Sequence, residues 1–180
     1  MSKKLSKKGT KMGKNIETER KFLIQFPNME TLLKVNLCQT KNIEQTYLIS
    51  DGTSSRRVRK ISVNNTEKYV YTKKTRISEI SCVEEENEIS NDEYTALLKE
   101  KNTSLSTITK TRYAFPFKHH TIEVDIYPFW NDRAILEIEL SDEDESFEIP
   151  DFLQVIKDVS SDKRYKNVNL AREIVNECIK

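Results

Sequence analysis

From Ile16 onward, apolar and polar residues alternate along most of the chain, and a period of two is typical of β-strands. The alternation predicts strands over residues 16–24, 44–49, 55–62, 68–76, 81–89, 106–115, 121–128 and 134–140. Asn64 and Asn65 favour a hairpin turn between the third and the fourth of these strands. We therefore expect a sheet of about eight antiparallel strands.

Helical patterns occupy a few of the connections between the strands. Asn28 is suited to cap a helix that reaches about residue 41, and Ser90 with Glu93 forms a capping box for a helix that reaches about residue 101. Apolar stripes predict two more helices over residues 151–158 and 168–179. A chain of 180 residues suits one domain, so we assign residues 15–180 to a single α+β, mainly β, domain.

Composition narrows the range of functions. Residues 1–14 carry six Lys and no acidic residue, and we predict a disordered basic tail there. The whole chain has 30 Lys+Arg against 29 Asp+Glu, so the remainder is mildly acidic and a general nucleic-acid binder is not expected. The absence of a long apolar stretch and of a secretory signal, with three scattered cysteines, indicates a cytoplasmic protein without a membrane span. The chain has only three glycines and lacks Walker A and GxGxxG loops, so any phosphate would have to be bound by side chains.

Like charges recur at positions i and i+2 of the predicted strands, where they share one face of the sheet. These sets are Glu17 with Glu19 and Lys21, Arg57 with Arg59, Thr72 with Lys74 and Arg76, Glu84 with Glu86, Lys110 with Arg112, Glu123 with Asp125, and Glu137 with Glu139. For any single strand, a solvated sheet face is the plainer interpretation. The repetition instead favours counter-charges, because carboxylate pairs suit Mg²⁺ or Mn²⁺ and Lys/Arg pairs suit phosphate oxygens. If the sheet closes with this face inward, it forms a charged tunnel suited to a polyanion.

Eight landmarks in order resemble those of the CYTH superfamily, also called triphosphate tunnel metalloenzymes. The first, Glu17-x-Glu19-x-Lys21, resembles the family's ExExK signature. The others are Gln45-x-Tyr47-Leu48, Arg57-Val58-Arg59, Thr72-Lys73-Lys74, Glu84-x-Glu86-x-x-Ile89, Lys110-x-Arg112-Tyr113, Glu123-Val124-Asp125 and Glu137-Ile138-Glu139. Tyr165-x-Asn167 also resembles the family's ending, and the resemblance covers about residues 15–173.

The resemblance implies a closed eight-stranded antiparallel β-barrel, a tunnel with a charged interior and flanking helices. It implies hydrolysis of a triphosphate with Mg²⁺ or Mn²⁺, by in-line attack of a metal-activated water. The implied metal carboxylates are Glu17, Glu19, Glu137 and Glu139, and the implied substrate-binding residues are Arg57, Arg59, Lys74, Arg76, Lys110 and Arg112. Glu84, Glu86, Glu123 and Asp125 are expected as further acidic tunnel residues, and Lys21 or Lys110 as a catalytic lysine in proton transfer. Strand phase leaves open whether Lys73 or Lys74 faces inward, and which of Glu84, Glu85 and Glu86 do.

The expected substrate is inorganic triphosphate, because nothing in the sequence indicates recognition of a base or a thiazole. The nearest alternative is a class IV-type adenylate cyclase that makes cyclic AMP from ATP, and hydrolysis of thiamine, nucleoside or RNA triphosphates is another. A non-catalytic polyphosphate binder is disfavoured, because an anion binder has no need of so many carboxylates. We expect a small-molecule substrate, no membrane or nucleic-acid partner, and a monomer or homodimer.

Overall fold

Strands form where the alternation of apolar and polar residues is sustained. The computed structural model describes residues 15–179, and this part of the chain contains nine strands. They are β1 Asn15–Gln25, β2 Gln39–Tyr47, β3 Ser55–Val63, β4 Thr66–Arg76, β5 Ser81–Ile89, β6 Ile108–Phe117, β7 His120–Ile126, β8 Arg133–Leu140 and β9 Val155–Asp158. The helices are α1 Met29–Leu33, α2 Asn91–Leu97 and α3 Asn167–Leu170, with 3₁₀ turns at Leu98–Glu100 and Lys163–Tyr165. The predicted tail, residues 1–14, lies outside the described residues.

The first eight strands close into an antiparallel barrel. Their order is β5-β4-β3-β2-β6-β7-β8-β1, and pairing of β5 with β1 completes the circle. The predicted eight-stranded barrel is therefore confirmed. β9 is an additional strand that pairs with the second half of β1. β1 therefore pairs with three strands: residues 15–18 with β5, residues 18–25 with β8, and residues 22–24 also with β9.

The β3–β4 hairpin has the predicted turn. Asn64 and Asn65 have φ angles of 47° and 63°, which is the left-handed region that asparagine tolerates better than most residues. The register that this turn sets places Arg57 opposite Thr72 and Ser55 opposite Lys74. The turn thus determines which charged residues of β3 and β4 share the inner face.

Apolar residues pack outside the barrel and also fill one end of its interior. Phe22, Leu136 and Ile138 belong to an outer cluster, on the opposite side of their strands from Lys21 and Glu137. Leu23 and Ile135 belong to a second cluster with Ile108, Tyr127, Trp130 and Tyr165. Because Leu23 and Ile135 share the inward face of β1 and β8, this second cluster fills the interior at one end and leaves the remainder to charged residues.

Three of the helix predictions are wrong in extent or type. α1 ends at Leu33, and residues 39–47 form β2 instead of continuing the helix. Leu33 and Leu37 are 59% and 70% exposed, so the apolar stripe that predicted the longer helix has little to pack against. Residues 151–158 form a turn and β9, because Val155 pairs with Ile24 of β1. In the described part of residues 168–179, helix is confined to the end of α3.

The segment after α3 is held by contacts with the barrel. The indole Nε1 of Trp130 donates to the carbonyl of Val175 at 3.0 Å, and the amide of Ser106 donates to the carbonyl of Ala171 at 2.7 Å. Tertiary contacts therefore satisfy backbone groups that a helix would have satisfied internally. Within residues 15–179, no helix is both long enough and apolar enough to cross a membrane.

Candidate active site in the barrel interior

A cavity of about 740 Å³ occupies the charged part of the barrel. Eleven Lys or Arg residues and eight Glu residues line it, so its wall has an excess of three positive charges. All of the sequence-predicted site residues line this cavity except Asp125. Asp125 shares the inward face of β7 with Glu123, but its side chain is fully buried against Lys110 and Arg112, with which it forms ion pairs.

The structure resolves the two open questions of strand phase. Lys74 lines the cavity, and its cross-strand partners, Ser55 on β3 and Glu84 on β5, line it as well. The same alternation on β5 brings Glu84 and Glu86 to the cavity wall, whereas Lys73 and Glu85 are not part of that wall. The inward-facing residues of β3 and β4 therefore include the bases that form ion pairs with the inward-facing acidic residues of β5.

Carboxylates gather where β1 meets β8. Glu19 lies directly opposite Glu139 in the register of these strands, and Glu17 is the next inward residue of β1. Among the described residues, Glu139 has no ion-pair partner. Partial desolvation in the cavity, together with the negative charges of Glu17 and Glu19, raises the pKa of Glu139. A cation bound there would relieve this repulsion.

Glu137 has a different environment from the other three predicted metal ligands. It is buried, with its carboxylate 2.7 Å from Nζ of Lys21 and 2.5 Å from Nη2 of Arg112. Burial opposes ionisation of Glu137, but the charges of Lys21 and Arg112 outweigh it and hold the pKa well below its usual range. In this arrangement Glu137 is the counter-ion of two bases.

The chemistry of the donor set fits a hard divalent cation. Within residues 15–179, no three acidic, His or Cys side chains converge closely enough to hold a metal ion by themselves. Glu17, Glu19 and Glu139 nevertheless supply neighbouring carboxylate oxygens, and Mg²⁺ typically takes only one or two carboxylates with waters and substrate phosphates. We conclude that these residues fit a cation shared with a phosphate ligand.

Arg57 and Arg59 form the clearest anion-binding feature of the wall. Arg57 lies 3.5 Å from Glu84, and Arg59 forms an ion pair with Glu86. Each guanidinium still has a buried Nε that finds no hydrogen-bond partner among the described residues. Burial, and then the positive charge of Arg57, lower the pKa of Arg59 to about 10. These unsatisfied donors and the crowded positive charge favour binding of an anion.

The two predicted catalytic lysines have opposite electrostatic environments. Burial disfavours the charged form of Lys21, but Glu137 and Glu19 outweigh burial and raise the pKa of its ammonium. Burial and the nearby charge of Arg112 lower the pKa of Lys110, although Asp125 partly opposes them. Lys110 therefore releases a proton more readily than Lys21.

Sequence reasoning missed several residues of the wall. Gln45 and Tyr47 belong to the Gln45-x-Tyr47-Leu48 landmark but were not among the predicted site residues, yet both line the cavity on β2. Lys163 and Lys166 line it from the segment before α3. Their one signal in the sequence is the Tyr165-x-Asn167 ending beside them, since both lysines precede the helix predicted over residues 168–179.

Fold and site together define a class: a closed antiparallel barrel whose interior cavity is lined by Lys, Arg and Glu side chains. The CYTH domain model matches residues 15–174, so the chain belongs to the CYTH domain family.

Solved structures with this fold include the inorganic triphosphatase NE1496, whose sequence is 25% identical to this chain. The match covers 89% of this chain and 97% of that one, with a TM-score of 0.53. Another is the PH1819 protein of Pyrococcus horikoshii OT3, at 23% identity, 71% and 80% coverage and a TM-score of 0.55. A conserved hypothetical protein of Pyrococcus furiosus has 24% identity, the same coverage and a TM-score of 0.54. No curated protein matches the chain significantly.

Proposed function

We propose that this chain is a metal-dependent hydrolase that releases phosphate from inorganic triphosphate. The observation that carries the proposal is the barrel interior, where Arg57 and Arg59, each with an unsatisfied guanidinium donor, line the same cavity as a cluster of carboxylates. A linear polyanion would satisfy the donors while a divalent cation satisfies the acids. The similarity to an inorganic triphosphatase supports this choice of substrate.

The bases would bind and orient the phosphate chain. Arg57, Arg59 and Lys74 lie on β3 and β4, and Lys110 and Arg112 lie on β6, so phosphates between them would be contacted from two sides. Arg112 is held in place by Asp125, whose two carboxylate oxygens accept from Nε and Nη2 at 2.7 Å each. Such preorganised donors stabilise charge that develops during phosphoryl transfer.

Glu17, Glu19 and Glu139 would hold Mg²⁺ or Mn²⁺. The bound ion would neutralise phosphate charge and make a coordinated water more acidic. Lys21, kept charged by Glu137 and Glu19, would bind a phosphate oxygen as an ammonium. Lys110, whose pKa is lowered, is the lysine to which we assign proton transfer.

We further infer that residues 15–180 contain the whole activity and that residues 1–14 contribute nothing to it. None of the proposed ligands lies in those first residues. We also propose that the protein acts in the cytoplasm on a small molecule, as a monomer or homodimer, without a membrane or nucleic-acid partner.

A panel of substrates tests the proposal. The purified chain is given tripolyphosphate, ATP, thiamine triphosphate or RNA with a 5′-triphosphate, each with Mg²⁺, with Mn²⁺ or with a chelator. We expect the fastest phosphate release from tripolyphosphate, and none with the chelator. Formation of cyclic AMP from ATP with tripolyphosphate left intact would identify a cyclase instead. Tight tripolyphosphate binding without turnover under either metal would identify a polyphosphate binder.

A further inference from the structure

We propose that the hydroxyl of Tyr47 donates a hydrogen bond to the phosphate chain of the substrate and that Gln45 orients this hydroxyl. The inference deepens the proposed function and rests on it. It adds a neutral donor to a site whose other proposed ligands are all charged.

Tyr47 lies among the proposed phosphate-binding bases. It is the direct cross-strand partner of Arg57, and both residues line the cavity. The charges of Arg57, Lys21 and Lys74 all act on its hydroxyl. An anion that contacts these three bases therefore passes close to the hydroxyl of Tyr47.

The hydrogen bonds around the hydroxyl oxygen determine where its proton can point. Nε2 of Gln45 donates to this oxygen at 2.8 Å, and the guanidinium of Arg57 interacts with it as well. An amide nitrogen and a guanidinium are donors only, so neither accepts the hydroxyl proton. The proton must find its acceptor elsewhere, and a ligand in the cavity that Tyr47 lines would supply one.

Burial keeps the tyrosine in the required form and orientation. The side chains of Tyr47 and Gln45 are 5% and 1% exposed, so the hydrogen bond between them is shielded from water. Burial raises the pKa of Tyr47, with Arg57 opposing it only in part, so the phenol stays protonated at neutral pH. A protonated, oriented phenol donates to a phosphate oxygen at little cost in reorganisation.

The plainer role for Tyr47 is packing, because its ring belongs to the interior apolar cluster with Leu23 and Ile108. The substitution Tyr47→Phe separates the two roles, since it retains the ring and removes only the hydroxyl. Tyr94→Phe is the matched control. Tyr94 is also 5% exposed, but it packs against Val58 in a cluster apart from the cavity.

The experiment measures tripolyphosphate hydrolysis, and tripolyphosphate affinity by calorimetry without metal, for wild type, Tyr47→Phe, Gln45→Leu, the double variant and Tyr94→Phe. We expect kcat/KM to fall about ten-fold in Tyr47→Phe, the scale of one buried hydrogen bond, and to be unchanged in Tyr94→Phe. Gln45→Leu should cause a smaller loss by itself. It should cause no further loss in the Tyr47→Phe background, because it acts through the hydroxyl.

Two results would overturn the inference. One is a Tyr47→Phe variant whose kcat/KM and affinity equal those of wild type. The other is a double variant in which the losses of kcat/KM from the two substitutions are fully additive. Failure of the proposed function looks different, because the wild-type chain itself would then not hydrolyse tripolyphosphate. In that case the calorimetric affinities still decide whether Tyr47 contacts a phosphate chain. A wild-type chain that neither binds nor hydrolyses tripolyphosphate contradicts both proposals.

Discussion

Among the described acidic residues that line the cavity, each is paired with a base except Glu139. Lys74 pairs with Glu17, Arg59 with Glu86 and Lys21 with Glu137. Such pairs compensate the cost of burying charge, and a bound phosphate chain can replace the acid of a pair without leaving the base unpaired. Glu139 has no such partner within residues 15–179, so its charge is the one most available to a metal ion.

Glu139→Gln should therefore abolish turnover with little change in stability. It removes a metal-binding charge but breaks no ion pair, and we expect kcat/KM to fall by about 100-fold or more. Glu67→Gln is the matched control, because Glu67 pairs with Lys60 at 2.7 Å and does not line the cavity. Phosphate release and thermal unfolding are measured for both variants. Full activity in Glu139→Gln would remove this residue from the metal site.

At the scale of elements, the strands followed from local sequence more faithfully than the helices did. β3, β4 and β5 begin and end close to the predicted residues, because alternation and the Asn64-Asn65 turn both act locally. The helices predicted over residues 151–158 and 168–179 failed where pairing with β1 and contacts with the barrel determined the backbone. The prediction of α2 was correct because its capping box is itself a local interaction.

The capping box gives a test of element stability that is separate from the site. The hydroxyl of Ser90 accepts from the amide of Glu93 at 3.2 Å, and the carboxylate of Glu93 accepts from the amide of Ser90 at 2.8 Å. Ser90→Ala should lower the free energy of unfolding by about 1 kcal/mol and leave kcat/KM unchanged. Thr95→Ala, at an exposed position of the same helix, should not destabilise. Urea unfolding measures the free energy of unfolding of both variants. Equal values would show that the capping box contributes nothing to stability.

At the scale of the whole molecule, closure of the barrel produces the site. Pairing of β5 with β1 brings Glu17 close to Lys74 and Glu84, residues that are distant in sequence. Burial and a hydrogen bond to Glu17 raise the pKa of Glu84, which shows how closely closure crowds these carboxylates. The segment before α3 adds Lys163 and Lys166 to the wall. Binding should therefore stabilise the entire barrel, because residues of all eight barrel strands line the cavity.

Tripolyphosphate without metal should raise Tm in a saturable way. At a ligand concentration of 100 times Kd, the added stability is about 2.7 kcal/mol. Arg59→Ala should weaken the shift, because Arg59 lines the cavity with an unsatisfied donor. Arg56→Ala is the control, since Arg56 is on the opposite side of β3 and bonds Glu100 at 2.9 Å. Differential scanning fluorimetry measures the shifts, and an equal shift in both variants would exclude Arg59 from the binding site.

The sequence by itself determined most of the eight barrel strands, the family and the sets of like charges, because period-two alternation and short motifs are local properties of the chain. It also indicated that the charged face would line a tunnel. Only the tertiary structure decided that Lys74 and not Lys73 faces inward, that Asp125 is buried and does not line the cavity, and that Gln45 and Tyr47 do line it. These features depend on cross-strand register and on contacts between residues distant in sequence. The interactions that stabilise these features do not exist within any single segment of the chain and form only when the barrel closes.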